Sequence, residues 1–331
     1  MSNQTIEEQQ HPFMEIYDFG IEVLWFPAIA AKYPDRLEEI AQKILDEVEE
    51  IFSDFLQDLK NGAAKPMYRA PTKPDVTKTP LPRYDLIVLN DYGTMATQFS
   101  RGCPFDCEFC DITKLFGRVP RTKMNGQILA EFNQLYEFGW RGPVFLVDDN
   151  FIGNKRDAMR LLPAITEWQQ ERKFPFGLFT ETSINLVEIP GMLEAMAEAG
   201  FNMTFVGIES PNDDALVKTV KKQNTSKEES AESYLSGAVR EIQNAGLAVM
   251  AGFIIGLDGD KEFQSHIDFI HRAGIPTAAA SLLTALKGTD LYHRLNREGR
   301  LLHECSGNNA LGELNFVPEL DPGFLMEEYK R

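Results

Sequence analysis

The sequence predicts an α/β chain built on a partial (βα)6 TIM-like barrel, with an N-terminal helical segment before it and a short C-terminal extension after it. Three observations carry this reading. Beyond residue 93, short apolar runs alternate with helix-period segments every ~30–45 residues, the rhythm of parallel βαβ units. Glycine follows most of the helical segments, at Gly139, Gly200, Gly246 and Gly274, where left-handed C-caps belong. A doubly wound open sheet is the alternative, but no G-x-G-x-x-G run follows a candidate strand, so a nucleotide-binding sheet would lack its phosphate loop.

Residues 1–62 form the helical segment. Apolar side chains at Leu37, Ile40, Ala41, Ile44, Leu45, Val48, Ile51, Phe52, Phe55, Leu56 and Leu59 recur in steps of one, three and four. That spacing predicts one long amphipathic helix ended by Asn61–Gly62, its stripe packed as core and not as a cofactor site. Residues 63–92 hold Pro66, Pro71, Pro74, Pro80 and Pro82. Proline lacks the N–H that a helix or central strand needs, so this stretch reads as an extended linker. The barrel then occupies 93–290. Its candidate strands are Thr94–Ser100, Pro143–Val147, Phe176–Thr182, Met203–Ile208, Val249–Ile255 and Thr277–Leu283. Helical patterns lie near Gly126–Phe138, Asp157–Lys173, Pro190–Ala199, Glu229–Ala245 and Lys261–Ala273. Residues 291–331 begin the C-terminal extension.

Composition narrows the function. Apolar residues make up 43% of the 331, enough for a large core. Fifty acidic against 33 basic residues leave a net charge of −17, which repels phosphate backbones and anionic lipid. No nucleic-acid partner is expected, although Arg118, Arg121 and Lys123 could form a local basic patch. The start, MSNQTIEEQQ, has no basic n-region, and the apolar stretch Ile21–Ala31 carries Glu22 and Pro27 and is too short to span a bilayer. A cytoplasmic chain without a membrane span is the expectation. Three of the four cysteines fall within eight residues, which in the cytoplasm favours a metal site over disulfides. Cys305, far away, is expected to pack as a small apolar side chain.

Those three cysteines lie in Arg101-Gly-Cys-Pro-Phe-Asp-Cys-Glu-Phe-Cys110, directly after the first strand and so at the C-terminal mouth of the barrel, where such folds place their sites. Cys103, Cys107 and Cys110 on one short loop can each bind one iron of a cubane cluster and leave the fourth iron open. Zinc is the competing reading. It wants four ligands, and neither a histidine nor a second cysteine pair is near.

The C-x3-C-x2-C spacing, with an aromatic before its last cysteine, resembles the signature of the radical S-adenosylmethionine (SAM) superfamily. The resemblance implies a [4Fe–4S] cluster whose open iron is chelated by SAM, and reductive cleavage of SAM to methionine and a 5′-deoxyadenosyl radical. It also implies an electron donor such as flavodoxin or ferredoxin. Asp148-Asp-Asn150 stands where the superfamily usually carries a Gly-Gly-Glu-like motif for the SAM amino group. Carboxylate and amide acceptors would suit that ammonium. Glu181 and Ser183 after the third strand, and Glu209 and Ser210 after the fourth, resemble the polar strand ends that hold the SAM carboxylate and ribose. Phe109 is expected against the adenine, and Gly256 to allow the close backbone approach of the adenine-binding stretch.

Roughly residues 50–330 resemble the cobalamin-dependent branch, which includes the hopanoid methylases. The closest stretches are Lys65-Pro-Met-Tyr-Arg-Ala-Pro71, Gln98-Phe-Ser-Arg-Gly-Cys103, Gly117-Arg-Val-Pro-Arg-Thr-Lys123 and Asp148-Asp-Asn-Phe-Ile-Gly-Asn154, with Ser306–Asn309 and Leu314–Pro318 resembling the start of that branch's C-terminal extension. Methylation of a small or lipid-like substrate is what this branch implies. The chain departs from it in having no D-x-H-x-x-G run for a cobalt-ligating histidine. Cobalamin is therefore not expected to bind this chain alone, and a separate cobalamin-binding protein is the partner expected for methyl transfer. The alternative is a non-catalytic cluster-binding remnant, or one subunit of a split enzyme.

Overall fold

The computed structural model describes residues 47, 49–65, 67–305 and 314–330. The first half of the predicted long helix and the Ser306–Asn309 stretch lie outside them. The described residues divide into two compact units, one holding 47–75 and 82–87, the other 76–81, 88–305 and 314–330.

In the smaller unit, helix α1 (Phe52–Lys60) continues the predicted periodicity and buries Phe55 and Leu59 against Ile51 and Tyr68. Tyr68 meets the Phe55 ring edge-on at 5.2 Å and donates its hydroxyl to Asp58 at 2.8 Å. The following stretch is extended and holds a 3-10 turn at Tyr84–Leu86 in this unit, with two more, Val76–Lys78 and Leu89–Asp91, in the larger one.

The larger unit is a parallel sheet of six strands with helices between them. The strands are β1 (Met95–Thr97), β4 (Pro143–Leu146), β5 (Gly177–Thr182), β6 (Phe201–Glu209), β7 (Ala248–Ile255) and β8 (Thr277–Leu282), in that spatial order, with β1 and β8 as edges. The sheet is thus an open, partial (βα)6 barrel, as the alternation of patterns predicts. Helices α3 (Asn125–Glu137), α4 (Lys155–Glu171), α5 (Met192–Glu198), α7 (Ala231–Asn244) and α8 (Gln264–Ala273) occupy the predicted crossovers. The glycines after them have φ of 92° (Gly139), 90° (Gly200), 95° (Gly246) and 65° (Gly274), the left-handed conformation that a Cβ disfavours.

One face of the strands is fully buried, with Val144, Leu146, Leu178, Val206, Val249 and Ala251 at or near zero exposure. The alternate face is half-exposed and carries Phe145, Phe179, Glu181, Met203, Phe205 and Met250. Phe145 and Phe179 pair in register and stack at 4.7 Å, nearly parallel. Because all six strands run the same way, their C-terminal ends bring residues 98–110, 147–150, 181–183, 207–210 and 256–258 to one edge of the sheet.

Candidate active site

The cysteine loop is a closed structure with a stem. Short strands β2 (Ser100–Arg101) and β3 (Arg121–Thr122) pair antiparallel and clasp residues 102–120, with the short helix α2 (Ile112–Leu115), between them. At the start of the loop Gly102 has φ 98°, and a Cβ there would lie 2.8 Å from the Gly117 carbonyl oxygen. Cys103 N–H donates to that same oxygen at 3.3 Å. The two acids after β4 hold the loop from below. Asp148 accepts from the N–H groups of Phe99 and Ser100, each at 2.8 Å, and from the Ser100 hydroxyl at 2.6 Å. Asp149 accepts from Gly102 N–H at 2.8 Å. Gly102→Ala is expected to destabilise the protein by about 2–3 kcal/mol, a positive-φ penalty plus a backbone clash. Urea unfolding checks this, and an unchanged midpoint would show that the loop can shift to admit the methyl.

Cys103, Cys107 and Cys110 are partly buried and unbridged. Burial pushes the Cys110 thiol up to about 12 and raises Cys103 as well. N–H donors act against it: Phe105 and the Asn150 amide toward Cys103, Ile112 toward Cys110. At Cys107 the Gln223 amide donates to Sγ at 3.4 Å. In the chain without metal burial outweighs these donors and favours the thiols of Cys103 and Cys110, so metal binding there must displace their protons, after which the same N–H groups stabilise the thiolates that bind metal. Among the described residues, no three Cys, His, Asp or Glu side chains stand close enough to hold a single ion. Three cysteines on one loop, each with its own N–H donor, fit a multi-iron cluster that takes one thiolate per iron.

Carboxylates stand at the ends of the neighbouring strands. Burial pushes Glu181 up to about 7, aided by Asp149, Asp148 and Glu209, and among the described residues it has no hydrogen-bond or ion-pair partner. Asp148 is also pushed up to about 7 by burial. Glu209 sits in the left-handed region at φ 64°, where the β6–β7 register slips. Such a bulge re-aims a side chain, and here the carboxylate meets the buried ammonium of Lys221 at 2.5 Å. Burial opposes the charge on Lys221, but Glu209, with Cys107 and Cys110 when ionised, outweighs it and holds its pKa above the usual lysine range.

The residues nominated from sequence thus fall into groups. Asp149, Glu181 and Glu209 interact across the mouth of the strands. Asn150 and Ser183 form a bonded pair at 3.0 Å, with the Asn150 amide 3.8 Å from Cys103 Sγ. Asp148 and Ser210 have their polar atoms engaged by the protein. Ser210 is fully buried, donates to Asp260 at 2.7 Å and accepts from Asn212 N–H at 3.1 Å. Gly256 has φ 97° and its open side faces Leu325 of helix α10 (Pro322–Lys330), 3.1 Å from where a Cβ would be, so the close approach there is to the chain itself. Phe109 packs against a cluster containing Leu257, Leu283, Leu291 and Phe316, with Lys221 Nζ 5.9 Å from its ring. Cys305 stands apart from the triad, with its sulfur 3.7 Å from the Ala285 carbonyl.

Two features escaped sequence reasoning. One is the segment Lys221–Asn224 after helix α6 (Asp213–Lys218), a polar run with no spacing signature. The other is a charge network that anchors the loop from outside. Glu108, between the last two cysteines, accepts from Arg294 of helix α9 (Asp290–Arg297) at 2.7 and 3.0 Å. Arg294 and Arg300 both donate to Asp258, the first at 2.8 Å and the second at 2.7 and 2.8 Å. Arg294→Leu would leave Glu108 buried with no ion-pair partner. Breaking a fully buried pair costs about 3–5 kcal/mol, and because Arg294 is a quarter exposed we expect about 2 kcal/mol. A chemical denaturation midpoint within error of wild type would contradict this.

A family model described as the radical SAM superfamily matches residues 97–270, and one described as a domain of unknown function, DUF4070, matches 289–331. The chain is 45% identical over 305 residues to an uncharacterized methyltransferase of Synechocystis sp., covering 91% of this chain and 56% of that protein. It is 37% identical over 294 residues to the hopanoid C-2 methylase of Rhodopseudomonas palustris, covering 87% and 55%. The chain therefore spans about half the length of these curated relatives. Among solved structures, that of TsrM from Kitasatospora setae, a radical SAM methyltransferase with cobalamin and a [4Fe–4S] cluster bound, superimposes with a TM-score of 0.55 at 16% identity, covering 72% of this chain and 49% of that one. That likeness is one of fold.

Proposed function

The chain belongs to the radical SAM superfamily, and on that premise we propose that Cys103, Cys107 and Cys110 ligate a [4Fe–4S] cluster that serves methylation of an apolar organic substrate. The observation that carries this is the loop itself, three cysteine sulfurs each with an N–H donor, set at the same strand ends as Glu181, which has no hydrogen-bond or ion-pair partner among the described residues. A bound, reduced cluster supplies the electron that splits SAM into methionine and a 5′-deoxyadenosyl radical. The chain's own residues do the rest. Cys103, Cys107 and Cys110 would hold the cluster as thiolates. Glu181 and Asp149 offer negative charge to the cationic groups of SAM, and Lys221 offsets the charge of the thiolates. Asn150 and Ser183 orient each other beside Cys103.

Methylation is supported by the named methyltransferases among the relatives. An apolar substrate is supported by the half-exposed strand face, where Phe145, Phe179, Met203, Phe205 and Met250 offer rings and thioethers beside the single carboxylate of Glu181. No D-x-H-x-x-G run occurs in the 331 residues, so a corrin held by such a loop would be presented from outside this sequence. A low-potential one-electron donor such as flavodoxin or ferredoxin is the partner required. Among the described residues, no helix is long and apolar enough to cross a membrane.

Anaerobic reconstitution with iron and sulfide, then reduction with SAM present, tests the reading. About four irons and four sulfides per chain and release of 5′-deoxyadenosine are expected. Stoichiometric zinc in anaerobically purified protein would overturn it. A full cluster without 5′-deoxyadenosine would assign the chain a cluster-binding role without turnover.

A further inference from the structure

Residues Thr219–Asn224 touch the cysteine loop at three levels, and only Lys221 has so far been given a task. The segment is pinned to the end of β6, since the fully buried Asn224 donates its side-chain amide to the carbonyls of Gly207 at 2.9 Å and Ile208 at 2.8 Å. Its other end is tied to the loop, where the Thr219 carbonyl accepts from Glu108 N–H at 3.0 Å. Between these anchors Gln223 Nε2 donates to Cys107 Sγ at 3.4 Å. Among the described residues, Gln223 Oε1 is buried without a hydrogen-bond partner. No competing contact therefore selects which end of the amide faces the sulfur. A thiolate accepts and cannot donate, so it selects the N–H end. By contrast, the Asn150 amide stands 3.8 Å from Cys103 Sγ, and the donor toward Cys110 is a backbone N–H. Gln223 is thus a side-chain donor placed by a rigid segment against one sulfur.

A donor to a ligand sulfur stabilises added negative charge, so it favours the reduced cluster over the oxidised one. Resting on the assignment of Cys107 as a ligand, we propose that Gln223 is a positioning residue for the cluster that raises its reduction potential through the hydrogen bond to Cys107 Sγ. Removing the donor makes the cluster harder to reduce without changing its ligands. The isosteric Gln223→Glu replaces the donor by an acceptor and adds charge, and its effect should be at least as large as that of Gln223→Leu.

The test is an anaerobic redox titration of reconstituted wild type, Gln223→Leu and Gln223→Glu with titanium(III) citrate, following the reduced cluster by EPR. Both variants are expected to keep the wild-type iron content. Their ratio of reduced to oxidised cluster at a fixed potential should fall about tenfold, ~59 mV for one electron. Midpoints equal to wild type in cluster-loaded variants would overturn the proposal, and so would loss of the cluster from both, which would make Gln223 purely structural. If only the leucine variant loses its cluster, the midpoint of the glutamate variant decides. A wild-type protein that takes up no four-iron cluster would overturn the ligand assignment itself, a result distinct from unchanged midpoints.

Discussion

Cys107→Ala is expected to give a colourless protein that folds normally, holds less than one iron per chain after anaerobic reconstitution, and forms 5′-deoxyadenosine at least ~10³-fold more slowly than wild type. A cubane held by three thiolates has no spare protein ligand, so loss of one leaves two irons without an anchor. The fold should survive because the loop is held by groups other than the sulfurs. Its stem is the β2–β3 pair, its base is bonded to Asp148 and Asp149, and Glu108 is bound by Arg294. Iron analysis, visible absorption and a thermal melt on the same preparation separate the two effects. An alanine variant that keeps its full iron content would remove Cys107 from the ligand set. A variant that loses iron and unfolds together would show that the sulfur is part of the loop's packing.

Much of this architecture was legible in the sequence because it depends on local rules. A βα unit announces itself through a change of hydrophobic period, and the glycines at 139, 200, 246 and 274 mark helix ends because only a left-handed residue turns the chain there. The cysteine triad was legible because three ligands on one loop need no tertiary information to be neighbours. The carboxylates at the strand ends were nominated through the resemblance of their motifs to the superfamily's, and parallel strands collect those ends on one edge. What each carboxylate does was not legible. Asp148 and Asp149 are adjacent and chemically identical, yet the path of the chain after β1 puts the Phe99 and Ser100 donors on the first and the Gly102 N–H on the second. Ser210 and Asp260 are fifty residues apart and meet only through the packing of loops. Gly256 is expected to allow a close backbone approach, and the neighbour that packs where its Cβ would be, Leu325, lies far along the sequence and gives no local signal there. Lys221 and Gln223 were missed because a lysine pair followed by two amides has the composition of a solvated turn, and only the fold of the segment onto β6 buries it.

Glu181→Gln is expected to weaken SAM binding to the reconstituted protein about 30-fold at pH 8, the equivalent of ~2 kcal/mol for removing one partner of a buried charge pair. The effect should fade as the pH falls. Burial, with Asp149, Asp148 and Glu209 nearby, pushes Glu181 up to about 7 in the protein without ligand. Binding a cation beside it favours the ionised form, so wild-type affinity should drop below pH 7 as the carboxyl protonates and no longer attracts the ligand. The α-amino group of SAM titrates nearby, so the decisive quantity is the ratio of variant to wild-type dissociation constants at each pH. That ratio should be large at pH 8 and approach one near pH 5. Stability of the ligand-free protein should run the opposite way. A carboxyl whose folded pKa is raised holds its proton more tightly than the unfolded chain does, so it contributes fully below the unfolded value and loses that contribution as pH rises to about 7. Glutamine removes that loss, and the variant should gain stability relative to wild type between pH 5 and pH 8. Calorimetric titration at the two pH values, with melts of the ligand-free proteins, measures both. A ratio that is the same at pH 5 and pH 8, or a variant that binds SAM as wild type does, would place the cationic groups of SAM away from Glu181.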